Sequence, residues 1–312
     1  TAVVNWTGCA PIKQRQLAAL CLLWLVGRIV INIDLGLPFW LILILETSFI
    51  PVLLIVLAIP LIRANNTRNF LILLRLLVLF ACDVWFLKTG SKMPLYIALM
   101  MVLTMVSLIG GRIIPAFTVG ALRRTGIVVN QTAQMTLDRV AVASLIAVTV
   151  CLIFVPETRL LSLCALFSAI VHGLRMRHYH SLKTASDPML WILHLGYGWL
   201  VIGLILLALT GVGVFEIPVV IHALTAGCIG SMTLGMMTRV TLGHTGRPLE
   251  SSTLTTLSFV LMQIAVAIRI LGPMLIPQAT VHWIIWSAGL WTTCFVIYLF
   301  VYAPMLFKPR AD

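Results

Sequence analysis

The sequence predicts an all-α fold, a polytopic transmembrane helical bundle of about ten spans, and three observations carry that prediction. Mean hydropathy is +1.10, with 61% hydrophobic and only 10% charged residues. A soluble domain of this length carries about 25% charge, so a soluble enzyme is excluded by composition. Several apolar runs reach roughly 18 residues or more, enough to cross about 30 Å of hydrocarbon. These runs are Leu, Ile, Val and Ala with scattered Gly and Pro, without the alternation of an outer-membrane barrel. No soluble domain or low-complexity linker interrupts them, so residues 1–312 read as a single integral membrane domain.

Apolar periodicity places the spans at about 16–33, 38–62, 68–88, 94–112, 138–155, 159–177, 188–210, 217–243, 253–272 and 280–304. The second span carries Glu46, to which the sequence assigns no partner. The third carries Arg75 and Asp83, eight residues apart and so on one face. An ion-pair network that fixes packing is the expected role, with a proton or substrate path as the alternative. The fourth meets Gly110-Gly111-Arg112-Ile113-Ile114-Pro115-Ala116-Phe117-Thr118. Two glycines and a proline there predict an interrupted helix whose freed backbone groups need protein partners. Arg112 then either holds a carboxylate by bidentate bonds or anchors at the membrane interface.

The sixth span contains His172. The seventh opens at Asp187-Pro188, an N-cap followed by proline at the first helical position, and holds His194 in HLGYGW. The eighth, His222–Pro248 in its most unusual stretch, has a histidine near each end, three methionines and Arg239. Ala223, Gly227, Ser231 and Gly235 repeat every four residues, a flat face that lets another backbone approach. His222, Ile229, Thr233, Met236, Val240 and His244 share the roughly opposite face, which is expected to look onto a cofactor or cavity. Glycine and proline in Gly243–Pro248 close this helix. Arg269 lies near an end of the ninth span, where a snorkelling side chain is the simpler reading.

Loop charges set the expected orientation. Fourteen Lys and Arg fall on the side holding both termini, against four (Arg28, Lys88, Lys92 and Arg159) on the other. The positive-inside rule then puts both termini in the cytoplasm. The formal charge of +12 is strung along loops and not gathered on one face, so nucleic acid is not an expected partner. Three glycosylation sequons, at Asn5, Asn65 and Asn130, lie on the cytoplasmic side and read as chance. Seven cysteines lie scattered without a CxxC, which gives no support for disulfides, structural zinc or covalently attached haem.

Imidazole and thioether are the usual protein ligands for haem iron and copper, which draws attention to His194, His222, His244 and the methionines of the eighth span. His222 and His244 are 22 residues apart, about 33 Å along a helix, so they cannot bind one metal. Any one of these histidines also reads as a hydrogen-bonded packing residue.

Asn5-Trp6-Thr7-Gly8, Gly110–Thr118, His194–Trp199 and His222–Pro248, in this order and over nearly the whole chain, resemble the NnrS family of bacterial membrane proteins. The resemblance implies an inner-membrane protein of the nitric oxide stress response, with haem and, as a further option, copper as cofactors. It puts forward His194, Tyr197, His222, Met236, His244 and Arg112 as cofactor-binding residues, the three histidines also as metal ligands. Its expected partners are the lipid bilayer, haem and nitric oxide or a nitrosyl species; a protein partner is not indicated. Family members have about twelve helices and a His-x-His-Glu-Met element before the Asn-Trp-Thr-Gly loop. About two helices and two candidate ligands are therefore expected to be absent from this sequence. Whether such a protein is an enzyme stays open: binding or turning over nitric oxide, reducing metal nitrosyls and handling released iron are all compatible. A transporter of a metal, haem or small solute is the alternative, supported by Gly/Pro-broken helices and buried charges. A structural subunit that anchors a redox partner is a third.

Overall fold

The computed structural model describes residues 7–10, 12–129, 134–156, 158–211 and 213–311. Asn5 and Trp6 of the first family stretch, and the sequon at Asn130–Thr132, lie outside the described residues. Among the described residues ten helices are long and apolar enough to cross a membrane, and there are no strands. They are α1 (Gln14–Asn32), α2 (Phe39–Arg63), α3 (Phe70–Thr89), α4 (Met93–Arg124), α5 (Met135–Phe154), α6 (Arg159–Tyr179), α7 (Pro188–Thr210), α8 (Ile217–His244), α9 (Thr253–Leu275) and α10 (Pro277–Leu306). The expected all-α membrane bundle is borne out. The chain forms two compact units, residues 1–101 and 102–312.

In the first unit α2 is two helical stretches, Phe39–Thr47 and Phe49–Arg63. Pro51 has no N–H to offer the Thr47 carbonyl, so the ladder lapses there. Gly27 of α1 lies against α2: a Cβ at that position would stand 3.2 Å from the Glu46 carbonyl oxygen. Only glycine lets the two backbones come this close. α3 ends on Gly90, whose φ of +64° is the left-handed conformation that caps helices. These spans bury little of themselves, 6% of the most apolar window in α3.

The second unit holds the core, and α7 is its centre, with 61% of the corresponding window buried. The expected cap forms: the Asp187 carboxylate accepts from the Met189 N–H at 2.9 Å, with Pro188 next to it. Thr158 caps α6 and Ser252 caps α9 in the same way. The small-residue face of α8 is buried, and α7 lies against it. A Cβ on Gly227 would stand 2.7 Å from Trp199, and one on Gly235 2.8 Å from Ile192. From the other side, a Cβ on Gly196 would stand 3.1 Å from the Met232 backbone nitrogen. Gln263 of α9 ties the pair together, accepting from Trp199 Nε1 and donating to Ser231 Oγ, both at 2.9 Å.

Two expectations are corrected. α4 is not interrupted at Gly110–Thr118; it runs unbroken to Arg124, 32 residues and about 48 Å. The glycines serve contact and not a break. Gly110 faces Met232 of α8 and Gly111 faces Arg175 of α6, and a Cβ at Gly111 would overlap the Arg175 guanidinium. α8 in turn is not one regular α-helix: Ala223–Gly230 is π-helical between two α-helical stretches. The wider turn changes which residues share a face beyond His222. Thr233, Val240 and His244 are exposed, whereas His222, Ile229 and Met236 are half-buried.

Candidate functional site

The second unit contains a polar network built around a cation with almost no access to water. Arg175 is 1% exposed, in the last α-helical turn of α6, where the helix dipole favours a positive charge. Its Nε donates to Asp138 Oδ1 of α5 at 2.7 Å. Its Nη1 donates to the Ser107 carbonyl of α4 at 2.7 Å, the Ser107 hydroxyl at 3.2 Å and the Tyr197 hydroxyl of α7 at 2.9 Å. Four helices thus converge on one guanidinium, and one carboxylate balances its charge.

His172 lies one turn before Arg175 on the same face. Its Nδ1 is 2.8 Å from the Ser168 carbonyl, which can only accept, so Nδ1 carries the proton. A second proton would put an imidazolium beside Arg175, so Nε2 is the acceptor and the Ser107 hydroxyl, at 3.0 Å, donates to it. Ser107 thereby accepts from the arginine and donates to the histidine.

His194 is arranged with the opposite tautomer. Thr118 Oγ1 donates to the Ile114 carbonyl at 2.9 Å, so toward His194 Nε2, at 3.0 Å, it accepts. Nδ1 then accepts from the Ser181 hydroxyl at 3.0 Å. Tyr179 and Tyr197 stand between the two histidines: ring centroids are 6.0 Å apart for His172 and Tyr197, 5.6 Å for the two tyrosines and 6.3 Å for Tyr179 and His194. At the α6–α7 connection a cavity of about 670 Å³ is lined by Arg124, Lys183, Asp187 and Glu250 among others, and His194 is not in its wall. His180, in that connection, holds a left-handed φ of +53°, a conformation unusual for a residue with a side chain.

A second cavity, about 510 Å³, opens at the other end of α8. His222 and Arg269 line it together with Glu216, Val219, Met274 and Ile284. Arg269, expected to snorkel at a helix end, therefore shares a cavity wall with His222.

The structure separates the sequence-predicted site residues. Tyr197 belongs to the Arg175 network and His194 to the tyrosine row, whereas His222 lines the far cavity. His244 and Arg112 are exposed and Met236 is half-buried. Residues the sequence reading did not bring forward do much of the bonding: Arg175, Asp138, Ser107, Thr118 and Ser181, while Tyr179 adds ring contacts and keeps a buried hydroxyl without a partner among the described residues. One signal for them was present, since Ser168, His172 and Arg175 recur at four and three residues and so form a polar stripe on an apolar helix.

A haem or copper ligand must present an imidazole nitrogen with its lone pair free. His172 and His194 each commit both ring nitrogens to protein hydrogen bonds. Among the described residues no three His, Cys, Asp or Glu side chains are grouped to hold a metal ion. The surroundings of His222 fit best: it is half-buried, it lines a cavity, and its ring makes no hydrogen bond to the described residues. Arg269 and Met274 in the same wall add a cation for a carboxylate and a thioether.

Fold and site together define a multi-pass α-helical membrane protein with a buried polar network. The family model described as NnrS protein matches residues 1–310, so the chain belongs to the NnrS family, as the sequence motifs indicated. No curated protein and no solved structure matches it.

Proposed function

We propose that the protein acts in the bacterial inner membrane in the response to nitric oxide and nitrosative stress, holding haem and, at a separate centre, copper. Family membership over residues 1–310 carries this reading. The His222 cavity supports it, because an imidazole with uncommitted nitrogens and a guanidinium line one concave, largely apolar wall. In this reading His222 is the haem ligand and Arg269 binds a haem carboxylate by charge-assisted hydrogen bonds. Val219, Met274 and Ile284 would give the macrocycle apolar contact. Bound haem would supply an iron to which nitric oxide or a nitrosyl species coordinates. His194 and His244 are the candidates for the second centre; binding at His194 requires that Ser181 release Nδ1. Both termini face the cytoplasm, by the fourteen-to-four distribution of Lys and Arg.

The test is a visible spectrum of the full chain purified in detergent, with haem and copper counted per chain. A Soret band that shifts on adding nitric oxide, lost in His222→Ala and kept in His244→Ala, is the expected result. Haem retained at full occupancy in His222→Ala refutes the ligand assignment. A fully folded protein with no Soret band favours transport, although continuous α4 removes one of the broken helices on which that alternative leaned. A reporter fused after Ala311 should be active only in the cytoplasm, and one in the Glu216 loop only in the periplasm. A periplasmic C-terminal reporter overturns the orientation.

A further inference from the structure

The first unit contains a charged cluster whose charges do not balance. Glu46 of α2 is 6% exposed, inside an apolar span, and its Oε1 is ion-paired with Arg28 Nη2 of α1. Its other oxygen, Oε2, is buried without a hydrogen-bond partner among the described residues. The stretch of α2 that carries Glu46 packs against α3, and Asp83 of α3 is an electrostatic neighbour of both Glu46 and Arg28. Cys82, next to it on α3, is a further titratable neighbour. Arg75 does not enter the cluster, although the sequence suggested pairing with Asp83. Eight residues of helix put the two about 12 Å apart along the axis.

One guanidinium and two carboxylates leave a net charge of minus one. The residues lie roughly one to two turns, about 6–10 Å, inside the ends of their helices. An uncompensated charge there is expensive. Two ionised carboxylates also cannot hydrogen-bond to each other, because each only accepts. A single proton resolves both problems. It neutralises the cluster, and it makes one carboxyl a donor to the other, which gives Glu46 the donor that its second oxygen lacks.

We propose that Glu46 and Asp83 share one exchangeable proton, held beside the Arg28 guanidinium, so that the first unit carries a proton-binding site within the membrane. Loading forms one O–H bond on the carboxyl pair with a proton taken from water, and unloading returns it. The O–H bond that breaks is one of hydronium, which leaves as water, and no oxidation state changes. Arg28 keeps 45% of its side chain exposed and lies about one turn from the end of α1, close enough for a long side chain to reach the membrane edge.

Infrared difference spectroscopy of the full chain in lipid nanodiscs, in H₂O and D₂O, reads the proton directly. The expected result at neutral pH is a protonated-carboxyl C=O band that shifts in D₂O and disappears in Glu46→Gln and in Asp83→Asn. Asp138→Asn should keep it, since Asp138 is ion-paired with Arg175. Absence of the band from wild-type protein at neutral pH overturns the proposal, and so does a band that survives both substitutions. A band seen only when choline replaces sodium and potassium assigns the site to a metal cation, which also overturns it. The wild-type measurement stands even if a variant fails to fold.

Discussion

Two buried arrangements are made of almost the same parts, one in each unit, and they differ in their charge count. Around Arg175 one guanidinium meets one carboxylate, and serine, tyrosine and histidine take up further hydrogen bonds in a chain whose donors and acceptors can be assigned one by one. Around Arg28 one guanidinium is ion-paired with Glu46, Asp83 adds a second carboxylate nearby, and Glu46 Oε2 is buried without a donor among the described residues. Burial alone does not separate the two, since Arg175 and Glu46 are both almost entirely enclosed. The comparison teaches that a balanced network holds helices in place, whereas an unbalanced one must take up a charge from outside.

The largest expected effect comes from breaking the balanced side. Arg175→Met fills similar volume but leaves Asp138 and the Ser107 carbonyl without their donor. Asp138 keeps 36% side-chain exposure, so the expected loss is about 3 kcal/mol, the lower end for removing one partner of a buried ion pair. Gly111→Ala should approach this, because the added Cβ would occupy the guanidinium's position and force either α4 or Arg175 to move. Thermal melting of the full chain in detergent, followed by intrinsic fluorescence, checks both. Arg112→Ala, one residue away on the exposed face, is the control and should melt within about 0.5 kcal/mol of wild type. If Arg175→Met melts with Arg112→Ala, the Arg175 network is not what holds these helices.

A smaller loss isolates the hydrogen-bond chain from the ion pair. Ser107→Ala keeps the backbone carbonyl that Arg175 uses and keeps Asp138. It leaves His172 Nε2 buried without a donor, which costs about 1–3 kcal/mol. A cost as large as that of Arg175→Met would mean that the serine side chain, not the ion pair, is the main support. Nitrogen NMR of labelled histidine gives the second readout: the His172 tautomer assigned above should persist in wild type and become mobile in the variant.

The spans were legible because hydrophobic length and periodicity are local properties. The ninth was expected at 253–272 and is Thr253–Leu275; the seventh was expected at 188–210 and is Pro188–Thr210. The flat face of α8 was legible for the same reason, since glycine spacing is a property of one helix. What the sequence could not give was pairing between helices. Gly111 read as a helix breaker because the Arg175 side chain that fills its missing Cβ comes from another span. Arg175 itself counted as a loop charge because it sits at a span's end. The π-helical turn in α8 was invisible because regular 100° spacing was assumed through Ala223–Gly230. Glu46 had no partner to assign for the same reason: Arg28 and Asp83 lie on two other helices.

The smallest effect is expected on the unbalanced side, and its smallness is the point. Glu46→Gln keeps the size and shape of the side chain and adds an amide N–H₂, so a donor becomes available to Asp83. The substitution also removes one negative charge, and Asp83 and Arg28 then balance with no added proton. A cluster that is neutral in the wild type because it holds a proton is neutral in the variant without one, so stability should stay within about 0.5 kcal/mol of wild type. Melting at neutral pH beside Arg175→Met puts the two units on one scale. If Glu46→Gln proves as damaging as Arg175→Met, the Arg28–Glu46 pair is a balanced structural bridge like that of Arg175, and Asp83 must find its countercharge elsewhere.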